Sequence, residues 1–307
     1  MGGENKCDLL VMDIDNTVFD WVDYYVNCFE AMIASVSRVT GLSGARLSYE
    51  CKEIFTKENS IEYPFVIQQL PSVIEYYDGN YQKIISDVVS QARDAFLDKA
   101  QQHLVAYDGV LDSLQKIRQK YPNLKIAALT DAPRYVAMWK LNKLELLDFF
   151  DSIYGLGDPR IPISKDGKNI LVSEEILIKH LVGNQFGFSG SVRILPDEYE
   201  KPGRRGLKTI LMDHDLDENE ADRKRVLWLG DNVRKDIGLG NALGVTTVWA
   251  KYGTGLSSEI MERLKIFSPE INVHKNISVS TDVQGYNPRY TLEKFSDLLN
   301  VLDDWRN

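Results

Sequence analysis

Short, wholly apolar runs alternate along this chain with longer stretches in which apolar residues recur every three or four positions. Leu9-Leu10-Val11-Met12, Ile126-Ala127-Ala128-Leu129 and Val226-Leu227-Trp228-Leu229 are too short for helices and carry no polar alternation. That pattern predicts strands buried on both faces, over residues 7–13, 125–129 and 225–229. From residue 21 to residue 40, Val22, Val26, Phe29, Ile33, Val36 and Val39 fall at helical spacing, and Gly41 is a natural stop. A second amphipathic stretch covers 43–55. A third covers 80–104, with Ile84, Ile85, Val88, Val89, Ala92, Ala95 and Phe96 on one stripe. Nothing between residues 20 and 104 reads as a core strand, so this segment is a helical insert.

After Tyr107-Asp108-Gly109 the pattern changes. A helix over 110–121 ends at Pro122, the strand at 125–129 ends in Thr130-Asp131-Ala132-Pro133, and a helix runs on to about 147. Residues 149–154 read as a short strand, 236–243 as a helix, 245–249 as a strand and 292–305 as the last helix. Helices alternating with apolar strands imply a parallel sheet with right-handed crossovers. The expected fold is thus α/β, a doubly wound Rossmann-like core built from residues 1–19 and 105–307 and interrupted by the insert at 20–104. Within the core, 155–200 reads as a further insertion. Residues 161–164 and 169–172 flank Lys165-Asp166-Gly167-Lys168 as a hairpin would, and 183–191 is glycine-rich and irregular.

Composition narrows the function. The 307 residues are 44% hydrophobic and 26% charged, as in ordinary globular chains, with a formal net charge of −9. A general nucleic-acid surface is not expected from that balance. Three cysteines, Cys7, Cys28 and Cys51, with no C-x-x-C spacing, point to a reducing compartment, so a cytoplasmic location is expected. Four scattered histidines argue against a dedicated zinc site. No signal pattern, myristoylation signal or membrane-spanning run is present, and no membrane partner is expected.

The chemistry begins at the end of the first strand. Asp13 and Asp15 lean the same way on an extended chain, and two carboxylates so close need a cation or a shared proton. Thr130 ends the second apolar strand, and Asp231, followed by Asp236, ends the third. In open parallel sheets these carboxyl ends converge on one crevice. Lys201-Pro202, between the second and third, supplies a candidate cation. Taken singly, each has a plain reading as a strand cap, a turn former or a solvated lysine. Lys208 rivals Lys201. Asp213-His214-Asp215 imitates a metal cluster but precedes its strand, so a solvated loop on the far side is expected. Trp21 and Tyr24 either face the crevice or pack. Arg46, Lys52 and Lys57 are expected on a solvated helix face.

Together these residues resemble the haloacid dehalogenase superfamily of hydrolases. Asp13-Ile14-Asp15-Asn16-Thr17 matches its D-x-D-x-T motif, Thr130 the second motif and Lys201-Pro202 the third. Gly230-Asp231-Asn232-Val233-Arg234-Lys235-Asp236 matches G-D-x-x-x-x-D. The chain departs at Asn16, where Gly is usual, at Asp131, where Asn is frequent, and in the long segment before Lys201. The resemblance implies that the 20–104 insert is a helical cap, that Asp13 is the nucleophile, and that Asp15 is the general acid and then base. It implies Mg²⁺ held by Asp13, the backbone carbonyl of Asp15, and Asp231, with Asp236 reaching the metal through water or pairing with Lys201. Phosphate would be bound by Thr130, Lys201, Asn16 and Asp131. The implied activity is a Mg²⁺-dependent phosphatase acting on a small phosphorylated metabolite, such as a sugar phosphate, phosphoglycolate or a nucleotide monophosphate. The alternatives are a phosphomutase and an idle binding protein on the same scaffold. A dehalogenase fits less well, because it needs no second acid at Asp15.

Overall fold

Seven parallel strands form one sheet in the order β4-β3-β2-β1-β5-β6-β7. They are β1 (Leu9–Met12), β2 (Lys125–Pro133), β3 (Ser152–Leu156), β4 (Ser191–Leu195), β5 (Val226–Gly230), β6 (Thr246–Ala250) and β7 (Tyr290–Leu292). The structure, a computed structural model, describes residues 8–164, 166–176, 186–255, 257–269 and 286–306. Cys7, the first residue of the predicted first strand, Lys165 of the expected hairpin turn and residues 183–185 of the glycine-rich segment lie outside them. The fold is α/β, as the apolar runs imply. All four residues of β1 are fully buried, and Leu9 registers with Lys125 on one side and Val226 on the other. The strand order reverses at β1, so its carboxyl end, flanked by those of β2 and β5, opens a crevice.

Helices Trp21–Thr40 (α1), Gly44–Glu58 (α2) and Pro71–Tyr76 (α3) follow β1. A long run continues through Tyr81–Lys83, a π-type stretch Ile84–Val89, and Ser90–His103. Asp20 caps α1 by accepting from the Asp23 N–H, Gly41 closes it at φ +72°, and Ser43 caps α2. The segments entering and leaving this insert pair with each other: Phe19 and Ala106 form an antiparallel bridge, and the Tyr107 N–H donates to the Val18 carbonyl at 3.0 Å. A later helix, Ser258–Phe267, also lies on the insert. Its Phe267 ring stacks on Phe29 at 4.0 Å, and its Arg263 grips both oxygens of Glu30 and the Asn27 side chain.

The pattern failed where burial was one-sided or chain direction changed. Strand β2 runs on to Pro133, with a register shift against β3 between Leu129 and Pro133, so Thr130–Ala132 are irregular strand residues. The edge strands β4 and β7 expose side chains and lack a continuous apolar run. Because β7 takes Tyr290–Leu292, the last helix begins only at Leu298. The expected hairpin is a single bridge between Ile163 and Ile170, both half exposed or more. Too little apolar surface is buried there to hold a sheet. Among the described residues no helix is long and apolar enough to cross a membrane.

Candidate active site

The Asp13 N–H still donates to the Leu229 carbonyl at 2.8 Å, so the nucleophile candidate remains tied to β5. Beyond it the chain must turn sharply from strand to helix. Asn16 makes the turn with φ +56°, and its Oδ1 accepts from the Trp21 N–H at 3.0 Å. Asparagine tolerates this left-handed conformation, which gives the Asn-for-Gly departure a physical basis. Tyr252 then clamps the turn through a 2.7 Å bond from its hydroxyl to the Thr17 carbonyl.

Lys201 is the hub. Its Nζ lies 2.8 Å from Asp13 Oδ1 and 2.9 Å from Asp236 Oδ1, and its backbone N–H donates to Asp131 Oδ1 at 2.9 Å. The second oxygen of Asp236 accepts from the Asn232 N–H at 3.0 Å, so this fully buried carboxylate fixes the lysine from behind. Asp131 also accepts from Lys235 Nζ at 2.7 Å. Its carboxylate thus faces two cationic residues. Thr130 is buried at the crevice, with its hydroxyl accepting from the Ala132 N–H at 3.0 Å.

Three buried acids surround one ammonium. Burial pushes the Asp13 carboxyl up to about 7, against the pull of Lys201 and with Asp236 and Asp15 adding to the rise. Asp231 is driven well above the usual carboxylate range by burial and by Asp236 and Asp13. Burial works against the charged form of Lys201, yet Asp13, Asp236 and Asp131 outweigh it and hold the proton tightly. One oxygen each of Asp13, Asp231 and Asp236 lie within 4.8 Å of one another. Asp231 Oδ2 is buried with no partner among the described residues. An unpaired buried carboxylate oxygen beside two further carboxylates is a donor set for a hard divalent cation, and the residues present fit one.

Asp15 is held separately. Lys140, wholly buried, places its Nζ 2.8 Å from Asp15 Oδ1 and 2.6 Å from Glu62 Oε1, and the same Glu62 oxygen accepts from Trp21 Nε1 at 2.9 Å. Burial raises the Asp15 carboxyl and Glu62 adds to it, while Lys140 opposes. Sequence reasoning missed Lys140, Glu62 and Lys235. Lys140 gave no signal, since a lysine on a helix is ordinarily solvated. Lys235 lies inside the fourth motif but at a position the motif leaves open.

The crevice has a volume of about 590 Å³ and brings together Asp13, Asp15, Thr130, Asp131, Lys201 and Asp231, with Trp21 at its wall. Other candidates lie elsewhere. Lys208 is half exposed and 3.9 Å from Asp217, and Asp213 binds Arg193 and the Tyr154 hydroxyl. Tyr24 packs edge-on against Phe19 and Phe96. Arg46 pairs with Glu50 and Glu75, Lys52 reaches the Lys265 carbonyl, and Lys57 lies beside Glu58.

A family profile of haloacid dehalogenase-like hydrolases matches residues 10–162, and a second profile, HAD-hydrolase-like, matches 199–279. The chain belongs to the haloacid dehalogenase-like hydrolases. Among solved structures this hydrolase resembles a 2-haloacid dehalogenase from Pseudomonas syringae pv. Tomato, at 14% identity and a TM-score of 0.54, over 97% of this chain and 99% of that one. It also resembles a HAD phosphatase from Thermococcus onnurineus, at 16% identity and a TM-score of 0.48, over 96% and 97%. At such identities the first likeness speaks for the fold alone. No curated protein matches the chain. In this hydrolase the helical insertion falls between β1 and β2, where the superfamily carries a cap.

Proposed function

We propose that this hydrolase is a Mg²⁺-dependent phosphatase of small phosphate monoesters, working through an aspartyl-phosphate on Asp13. The observation that carries the reading is the Lys201 bridge: a buried ammonium 2.8 Å from Asp13, beside the unpartnered oxygen of Asp231. An acidic crevice accepts a dianionic phosphoryl group only where positive charge meets it, and this is the place. In this reading residues 20–104 form the cap over a core of the remaining chain.

Asp13 attacks phosphorus, and the bond from phosphorus to the leaving oxygen breaks as Asp15 delivers a proton to that oxygen. Water then attacks the phosphorus of the aspartyl-phosphate, Asp15 takes its proton, and the Asp13 carboxylate is released with inorganic phosphate. Lys201 holds Asp13 and a phosphoryl oxygen together, the Thr130 hydroxyl binds a second oxygen, and Asn16 and Asp131 offer backbone N–H groups. Mg²⁺ would be held by Asp13, Asp231 and the Asp15 carbonyl, and it supplies charge neutralisation for the phosphoryl group. The burial of Asp15 suits an acid that must hold a proton until the leaving group needs it.

Purified protein with Mg²⁺ is expected to release phosphate from p-nitrophenyl phosphate and from members of a metabolite panel. EDTA or Asp13→Asn is expected to stop it. No release from any phosphate monoester under these conditions refutes the assignment.

A further inference from the structure

We propose that Lys140 and Glu62 are positioning residues for Asp15: the lysine engages Oδ1, so the proton exchanged with the leaving oxygen travels on Oδ2. The inference rests on the phosphatase reading and adds to it a control of the acid from the insert. Lys140 belongs to the core helix Arg134–Lys143, whereas Glu62 belongs to the link between α2 and α3. The ammonium is fully buried, and a buried charge left without its partner is strongly destabilising, so its two contacts are obligatory rather than incidental. Two carboxylates share this one cation, and the geometry of each therefore depends on the other.

Glu62 Oε1 takes two donors at once, Lys140 Nζ and Trp21 Nε1. Trp21 is the first residue of α1 and stacks on Tyr25 at 5.1 Å, so it is rigidly part of the insert. The Lys140–Glu62 bond is thus made only when the α2–α3 link is seated on the core helix. Seating the insert and orienting Asp15 become one event. A salt bridge that merely stabilised the fold had no need to end on the acid.

The two roles separate by leaving group. Kinetics on a series of aryl phosphates, from p-nitrophenyl through phenyl to p-methoxyphenyl, are compared for the wild type, Glu62→Gln, Lys140→Met and Lys140→Arg. A misplaced acid harms poor leaving groups most, because they need the proton. For Glu62→Gln and Lys140→Met the loss in kcat is expected to be about tenfold or more larger on p-methoxyphenyl phosphate than on p-nitrophenyl phosphate, with KM nearly constant. Lys140→Arg is expected to recover part of it. Glu62→Gln keeps an acceptor for Trp21, so it decides the matter if Lys140→Met does not fold. Equal losses along the series, or a change in KM alone, overturn the positioning role and leave the phosphatase reading standing. A wild type inactive on every member overturns that reading, and this role with it.

Discussion

A Cβ at Gly253 would meet the closest contact of any described glycine, and replacing this residue with alanine probes how firmly the turn that follows Asp13 is held. A Cβ built on Gly253 lies 1.8 Å from the Asn16 carbonyl oxygen and 3.1 Å from the Asp231 Cβ. The first contact falls about 1.6 Å short of ordinary van der Waals separation, and the atom it meets is backbone, which cannot swing aside as a side chain does. Either the Asp13–Thr17 turn or the Lys251–Thr254 turn must move by more than an ångström. Overpacking of this kind costs about 1–3 kcal/mol. A displacement of about 1 Å at reacting groups costs on the order of a hundredfold in rate. Gly253→Ala is therefore expected to lower stability in a urea titration by about 1–3 kcal/mol and kcat/KM by about a hundredfold. KM should change little if the loop shifts as a unit. Wild-type stability together with wild-type turnover would show that the two turns are not in contact, and the reasoning would fail.

Two further outcomes follow from the charges. Mg²⁺ is expected to raise Tm, by the equivalent of about 2.7 kcal/mol at a concentration a hundredfold above its Kd, and Asp231→Asn should erase that gain. Because burial holds the Asp13 carboxyl near 7, metal binding is expected to release more protons at pH 6 than at pH 9. Proton uptake or release measured in weak buffer checks this, and an identical signal at both pH values refutes it. At the opposite end of the sheet, burial works against the Asp151 carboxylate, yet the Ile126 N–H, Arg118 and Lys125 outweigh it and hold its pKa below the ordinary 3.8. Its stabilisation is then complete above that value and lost as the pH falls through the lowered one. Asp151→Asn should destabilise the protein at neutral pH, with the gap closing in acid; a gap that persists to about pH 2 would exclude this cause.

The parts of the molecule that were legible in the sequence are those where one physical demand dominates. Strands β1, β2 and β5 are buried on both faces, so apolar runs disclosed them, and the carboxyl-end rule then put Asp13, Thr130 and Asp231 together. Helix α1 was readable to the residue because its apolar stripe and terminal glycine agree, and the Asp20 cap fixes the same start. The glycine of the Gly230-Asp231 pair has a plain steric reason: a Cβ there would lie 2.4 Å from the Asp236 side chain. Edge strands were opaque because mixed exposure erases the pattern. Lys140 and Glu62 were opaque for a different reason. They lie 78 residues apart, and nothing local in either segment records that they meet.

The helix Ser258–Phe267 makes the insert a three-stranded attachment. Sheet and insert are joined not only at Phe19 and Ala106 but again through the helix after the Lys251–Thr254 turn, which grips Phe29 and Glu30. Lifting the insert alone requires extracting Phe267 from an aromatic stack worth about 2 kcal/mol and breaking a two-pronged arginine clamp as well. Lifting it with the helix attached pulls on the turn at Gly253, and hence on Asn16 and the end of β1. Any displacement of the insert relative to the sheet must therefore either break the Phe29–Phe267 and Glu30–Arg263 contacts or be passed through Gly253 to the turn at Asn16.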